Sequence, residues 1–165
     1  MGKAARRFGQ FDPHKPGTTY GVLDELVGYA IRRAQLVITE KFDARFGPMG
    51  ITTQRFSALV LISENPGLKQ TDLADLMGIA RSGALAIVAA LDRQGLIERG
   101  TNASDRRAQA LTLSHAGAAL VPDLVREVRA HDAQVTADLS DAERRDLMHL
   151  AQRIGARVQR TSVHD

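Results

Sequence analysis

Two apolar segments meet at a single glycine in this chain, and that junction limits the folds open to it. The first, QTDLADLMGI (residues 70–79), spaces its apolar residues as a short helix does. Leu73, Ala74, Leu76 and Met77 are predicted to face inward, and the pattern breaks at Gly78. The second, ARSGALAIVAALDRQGL (80–96), predicts a longer helix ending at Gly95, where a left-handed residue suits a helix stop. Two helices joined by so tight a glycine turn predict a helix-turn-helix. LIER (96–99) and AQALTL (108–113) then predict two short strands joined by residues 100–107, a β-hairpin with a long tip.

A helix-turn-helix followed directly by a hairpin is the element order of a winged helix. Helical segments flank it. From Tyr20 to about Phe46, Leu23, Leu26, Val27, Ala30, Ala34, Val37 and Ile38 recur at helical spacing, until GPMG (47–50) stops the helix. A second helix is predicted from Thr52 or Thr53 through Phe56, Leu59, Val60 and Ile62, ending at ENPG (64–67). Ser114 can cap a long helix to about Ala137, striped by Leu120, Val121, Leu124, Val125 and Val128. Pro122 falls inside it, removes one backbone hydrogen bond and is expected to kink it. SDAE (140–143) fits the reciprocal capping box, and Leu147, Leu150, Ile154 and Val158 stripe the last helix. The expected fold is mainly α with a small β-wing. The winged helix-turn-helix spans about 52–113, with N- and C-terminal dimerisation helices at about 20–46 and 114–160. Residues 1–19, with Lys3, Arg6, Arg7, Pro13 and Pro16, are expected to form a flexible basic N-terminal arm in which Phe8 and Phe11 can dock on a neighbour, and residues 161–165 a tail.

Composition narrows the function classes. A hydrophobic content of 44% supports a real core in 165 residues. Aromatics make up 4% and Trp is absent, so no base-stacking platform is available. The absence of cysteine excludes disulfides, thiolate metal ligands and thiol redox sensing, and fits a cytoplasmic protein. No apolar run approaches the ~20 residues that span a bilayer. The five histidines (14, 115, 131, 149, 164) show no metal-ligand spacing, and no phosphate loop, dinucleotide fingerprint or nucleophile elbow occurs. The expectation is a non-enzyme with no metal and no cofactor. The net charge of +3 permits a polyanionic partner without requiring one.

Asp105, Arg106 and Arg107 occupy the predicted wing tip. Read alone, the triplet is equally a solvated loop with an ordinary Asp–Arg pair, or a wing whose arginines meet the negative potential of a narrow minor groove while Asp105 holds one of them. The order GLKQTDLADLMGI, a helix closing on LDRQGLIER, then SDRR and LTLSHAG resembles the MarR family of transcription regulators over about residues 20–160. The resemblance implies a homodimer of winged helices with interleaved terminal helices. It implies a repressor that binds a pseudo-palindromic double-stranded operator and leaves it when a small, often aromatic effector binds. DNA contacts then map to Lys69, Gln70, Thr71, Arg81, Ser82, Leu85, Ala86, Asp105, Arg106 and Arg107.

Two features depart from the family pattern. On the second helix Ala84, Ile87, Val88 and Leu91 share the predicted core face, which leaves Ser82, Leu85, Ala86 and Ala89 outward. Leu85 and Ala86 can contact thymine methyls, or this alanine-rich face is simply a good helix former. Lys69 stands where relatives often carry a capping hydroxyl; it can reach a phosphate but cannot cap. Residues 69–107 carry a net charge of only +1. A winged-helix module for protein interaction, or for non-specific architectural DNA binding, is therefore the competing reading.

RRAQ (32–35) is a solvated charged face or part of an effector site. VGYAIRRAQL (27–36) followed by FSALVLISENPGLKQ (56–70) resembles the branch of the family that senses hydroxycinnamoyl-CoA thioesters and related aromatic acids. That resemblance implies Arg32 or Arg33 on phosphates or a carboxylate, with Tyr29, Phe56 and Leu59 around an aromatic ring.

Overall fold

The computed structural model describes residues 15–101 and 109–161, with side chains to residue 156 apart from 101 and 109. The chain divides into two compact units, up to Asp123 and from Leu124.

In the first unit a short 3-10 turn, Gly21–Glu25, precedes helix α1, Val27–Phe46. The helix predicted from Tyr20 is thus interrupted. Gly21 takes a left-handed φ of 57° and Leu26 is extended (φ −96°, ψ 115°), neither of which an α-helix admits. The break folds residues 20–25 back beside α1 and lets Asp24 meet Arg33, as detailed below. Gly47, Pro48 and Met49 end α1 in a further 3-10 turn, and Gly50 leaves it at φ 72°. Helix α2, Thr53–Glu64, starts as predicted: Thr52 Oγ1 accepts from the Arg55 N–H at 3.3 Å. Asn65 Nδ2 returns to Leu61 O at 2.9 Å and closes its far end.

Strand β1, Leu68–Lys69, is too short to show an alternating pattern and was not expected from sequence. It pairs antiparallel with β3 (Gln109–Leu113), which also pairs with β2 (Ile97–Thr101), giving the sheet order β1-β3-β2. Leu68 faces Leu111, and the β2–β3 ladder runs from Ile97↔Leu113 to Thr101↔Gln109. The wing tip with Asp105, Arg106 and Arg107 lies outside the described residues.

Helices α3 (Gln70–Met77) and α4 (Arg81–Arg93) flank Gly78, which adopts φ 61°. Gly78 N–H donates to Asp75 O and Ile79 N–H to Ala74 O, each at 3.1 Å, and the chain bends by 113°. That bend falls in the range of helix-turn-helix units. Leu73 and Ala74 are fully buried, whereas Leu76, predicted inward, is 58% exposed. At 100° per residue the inward direction lies midway between Leu73 and Ala74; Met77 falls close to it and Leu76 about 110° away. On α4 the predicted core face is buried: Ala84, Ile87, Val88 and Leu91 pack with Leu59, Ile62 and Leu111 in the core set. Gly95 stops the helix at φ 68°, with Leu96 N–H donating to Leu91 O.

Helix α5, His115–Val135, begins on the turn after α4 and β3. Ser114 Oγ accepts the Gly117 N–H at 3.0 Å and donates to Gly95 O at 2.5 Å, while Ser114 N–H donates to Leu96 O. Gly117 sits so close to the Leu96 carbonyl that any Cβ would overlap it. Pro122 lies within α5 without ending it.

The second unit contains the rest of α5, which stops at Val135 rather than Ala137, and α6, Asp141–Thr161. Leu124 and His131 are buried. The capping box forms as predicted: Ser140 N–H donates to Glu143 Oε2 at 2.8 Å and Glu143 N–H to Ser140 Oγ at 3.3 Å. The Ser140 hydroxyl, and after it the Ser140 N–H, hold the Glu143 carboxyl below its ordinary range.

Two outcomes follow from these contacts. Gly117→Ala is expected to destabilise the chain by about 1–3 kcal/mol in urea unfolding, because backbone must shift to admit the methyl. Glu143→Gln should lower stability at pH 7, and the deficit should shrink as acid carries wild-type Glu143 through its depressed pKa and protonates it. Thermal unfolding of both proteins from pH 7 to 3 checks this; a deficit that grows in acid contradicts the capping role.

Candidate nucleic-acid interface and effector site

The outward face of α4 follows from the burial of its other side. Arg81, Ser82, Leu85 and Ala86 are exposed and Ala89 is half-buried, as the sequence periodicity requires. Leu85 is 50% exposed, a large apolar side chain left in water on the outward face of α4. The face therefore offers methyl and methylene groups, one hydroxyl and one guanidinium at the helix start, a set suited to thymine methyls and a phosphate.

Around it the remaining predicted contacts fall as follows. Thr71 is exposed on the first turn of α3 and its hydroxyl donates to Asp72 Oδ1 at 3.2 Å. Lys69 and Gln70 are half-buried. Lys69 belongs to β1, opposite Ala110, and occupies the capping position of α3 without a side-chain cap, as its chemistry dictates. One contact was missed in the sequence. Arg99 Nε on β2 meets Asp92 Oδ2 on α4 at 3.0 Å, tying the base of the wing to the last turn of α4. Both residues lie in the LDRQGLIER stretch, but the pairing needs the chain reversal at Gly95, which spacing does not reveal. It also neutralises one of the few cations near this surface.

The residues predicted for an effector separate into two places. Arg33 is 13% exposed; its guanidinium lies 4.7 Å from the Tyr20 ring centroid and 5.4 Å from that of Tyr29, and Nη1 is 3.6 Å from Asp24 Oδ1. Arg32, one position on, is exposed. The two arginines thus point different ways, as consecutive helix positions must. Phe56 is elsewhere. Its ring is 6.2 Å from that of Phe42, which in turn stacks 4.5 Å from Phe46 at the far end of α1. Tyr29 and Phe42 are thirteen residues apart on one helix, about 20 Å along its axis. Within one protomer, then, Tyr29 and Phe56 do not enclose a single ring. Leu59, predicted to line the same slot, is fully buried in the core of the first unit.

Each unit also exposes apolar side chains. In the first unit Val22, Leu23, Leu26, Val27 and Ile31 are exposed, and in the second Leu147, Met148, Leu150 and Ile154 on α6. Exposed runs of this kind mark association surfaces. Among the described residues no group of three or more histidines and carboxylates is placed to hold a metal, and no single helix is long and apolar enough to cross a membrane.

Residues 49–108 match the sequence profile of the MarR family. The chain is similar to a protein of Thauera aromatica assigned as a transcriptional regulator of the hcr operon, 32% identical over 136 residues and covering 82% of each chain. Among solved structures it is similar to the transcriptional repressor CouR bound to a 23-mer DNA duplex. Identity there is 35%, with 84% of this chain and 98% of the other covered and a TM-score of 0.78. CouR bound to p-coumaroyl-CoA aligns at 33% identity, covering 83% and 96%, with a TM-score of 0.75. The Mycobacterium tuberculosis MarR family protein Rv2887 in complex with p-aminosalicylic acid aligns at 27% identity, covering 79% and 98%, with a TM-score of 0.62.

Proposed function

The chain belongs to the MarR family of winged-helix transcription regulators, and from that premise we propose that it is a homodimeric repressor released from its operator by an aromatic acyl-CoA thioester. The observation that carries the DNA-binding part is the exposed Arg81-Ser82-Leu85-Ala86 face of α4, in a fold that aligns at a TM-score of 0.78 with a repressor on DNA. Arg81 meets a phosphate, Leu85 and Ala86 meet thymine methyls, and Arg106 and Arg107 reach the minor groove from the wing. Dimerisation covers the apolar side chains of the terminal helices and provides two half-sites about one DNA turn apart.

The polar-poor face of α4 also favours a second reading, a winged helix that binds DNA without sequence preference or binds another protein. A footprint separates the two: a repressor protects a discrete two-fold symmetric site. Arg81→Ala should weaken binding to all sequences alike and lower the salt slope by about one. Arg106→Ala or Arg107→Ala should cost about 1–3 kcal/mol of operator binding with the fold intact by circular dichroism. Unchanged affinity in both wing variants overturns the wing contact.

The separation of the two aromatic clusters supports a long effector over a short one. A benzoate or coumarate reaches either the arginines of α1 or the Phe42–Phe56 cluster, but not both within one protomer. A thioester carries phosphates at one end and the ring at the other, and relatives are known with p-coumaroyl-CoA and with p-aminosalicylic acid bound. Release of DNA then requires that the thioester favour a different spacing of the recognition helices. Calorimetry with benzoate, p-coumarate, p-coumaroyl-CoA and feruloyl-CoA should give tight binding for the thioesters only. Arg32→Ala or Arg33→Ala should weaken it about tenfold or more, the scale of a lost charge-assisted hydrogen bond. The effector reading fails if no thioester binds, or if both variants bind as wild type does.

A further inference from the structure

The exposed face of α4 is defined as much by the side chains it lacks as by those it carries. From Arg81 to Leu91 the sequence is RSGALAIVAAL, with one cation, one hydroxyl and no amide or carboxylate. Ser82, Leu85, Ala86 and Ala89 fall at the i, i+3, i+4, i+7 spacing of one helix face. The first three are exposed and Ala89 is half-buried. Ala84, Ile87, Val88 and Leu91 are closed in the core, so the helix cannot turn to offer another set. The nearest carboxylate and amide come only at its far end, and both have work there. Asp92 Oδ2 meets Arg99 Nε at 3.0 Å, and Gln94 Nε2 donates to Gly50 O at 3.4 Å.

Each absence removes a way of reading a base. In the major groove adenine is recognised by a side-chain amide, the cytosine amino group by a carboxylate and guanine by a guanidinium. The middle of this face has none of the three, since Arg81 stands at the helix start. The Ser82 hydroxyl both donates and accepts, so it suits the thymine O4 acceptor and the cytosine N4 donor alike. Shape is what remains. Leu85, flanked by Ala86 and Ala89, meets either a methyl group or water. The C5-methyl is the same group on the same ring carbon in thymine and in 5-methylcytosine, and in both it projects into the major groove.

We propose that α4 reads the C5-methyl group of a pyrimidine and not the pyrimidine itself, so that 5-methylcytosine is accepted where thymine is and unmethylated cytosine is not. The inference rests on the reading that α4 lies in the major groove of DNA. It adds a second input to the regulator: methylation of a cytosine under α4 raises occupancy with no effector present.

Duplexes selected by the full-length protein from a random-sequence pool supply the probe. Each thymine of the selected site is replaced in turn by uracil, which removes the methyl and nothing else. Within each half-site a replacement under α4 should weaken binding about fourfold, the scale of one apolar carbon returned to water. At those positions thymine·adenine is then compared with 5-methylcytosine·inosine and cytosine·inosine. Inosine keeps the guanine amino group out of the minor groove, which is therefore the same in every duplex. 5-Methylcytosine should bind within about twofold of thymine, and cytosine should fall with uracil. Leu85→Ala, a change at an exposed position, should make thymine and uracil duplexes equivalent while circular dichroism shows the fold intact. Arg81→Ala should weaken all duplexes alike and keep the methyl dependence.

The proposal is overturned if no uracil replacement matters, if 5-methylcytosine binds as poorly as cytosine, or if Leu85→Ala keeps the full methyl dependence. A two-fold symmetric site whose affinity ignores methyl groups would sink this inference and leave the repressor reading standing. If selection enriches no site, the unselected pool made with thymine or with uracil decides: weaker binding to the uracil pool supports methyl reading without a discrete operator, and equal binding removes both.

Discussion

The left-handed conformation at Gly78 is the constraint on which the exposed face of α4 depends. A side chain bearing a Cβ resists φ 61°, and without that conformation the chain cannot turn by 113° in three residues. The turn lets Leu73 and Ala74 of α3 and Ala84, Val88 and Leu91 of α4 bury themselves in one core. Everything outward on α4 is a consequence of that inward set, since a 3.6-residue period leaves Leu85 and Ala86 nowhere else to point. The hydrophobic effect orients the helix, and the chemistry of the exposed face is what remains.

Electrostatics take a secondary part, and a local one. With so little net charge between residues 69 and 107, no broad positive field is available. Individual arginines are instead set by specific neighbours. Asp92 fixes Arg99 at the root of the wing, at 3.0 Å, and Asp24 meets Arg33 at 3.6 Å. The first is short and partly shielded, a structural tie. The second is longer, and its acid is half exposed. Arginine count alone treats these two as equivalent; distance and exposure do not.

The fold was largely legible in the sequence because its signals are local. Thr52, Gly78, Gly95, Ser114 and the Ser140–Glu143 box each act within about four residues, and each ends or starts an element as read. What the sequence hid depends on contacts made at a distance. Strand β1 exists only because β3 offers it a partner. The break at Leu26 interrupts an apolar periodicity that runs on past it, and Leu76 carries an apolar side chain on the wrong side of a two-turn helix. The effector residues show the same dependence on distance: Tyr29 and Phe56 look like neighbours on a list of apolar side chains, but within one protomer Tyr29 lies thirteen residues along α1 from Phe42, the ring that Phe56 meets.

The junction of Ser114, Gly117 and Leu96 has a mechanical meaning. A glycine flush against a backbone carbonyl, backed by hydrogen bonds to Gly95 and Leu96, sets backbone directly against backbone where the chain leaving α4 meets the first turn of α5. Such a joint transmits displacement instead of absorbing it. In the proposed dimer a small tilt at the root of α5 would therefore carry over to the end of α4 in the same protomer. Base pairs are stacked every ~3.4 Å, so a tilt that moves α4 by a fraction of that step puts its methyl-bearing face out of phase with the bases. A surface that reads DNA mainly through shape and short-range van der Waals contact is more sensitive to such dephasing than one anchored by long, flexible cations. If α4 reads DNA as proposed, the close glycine contact would compensate for the chemical plainness of its exposed face.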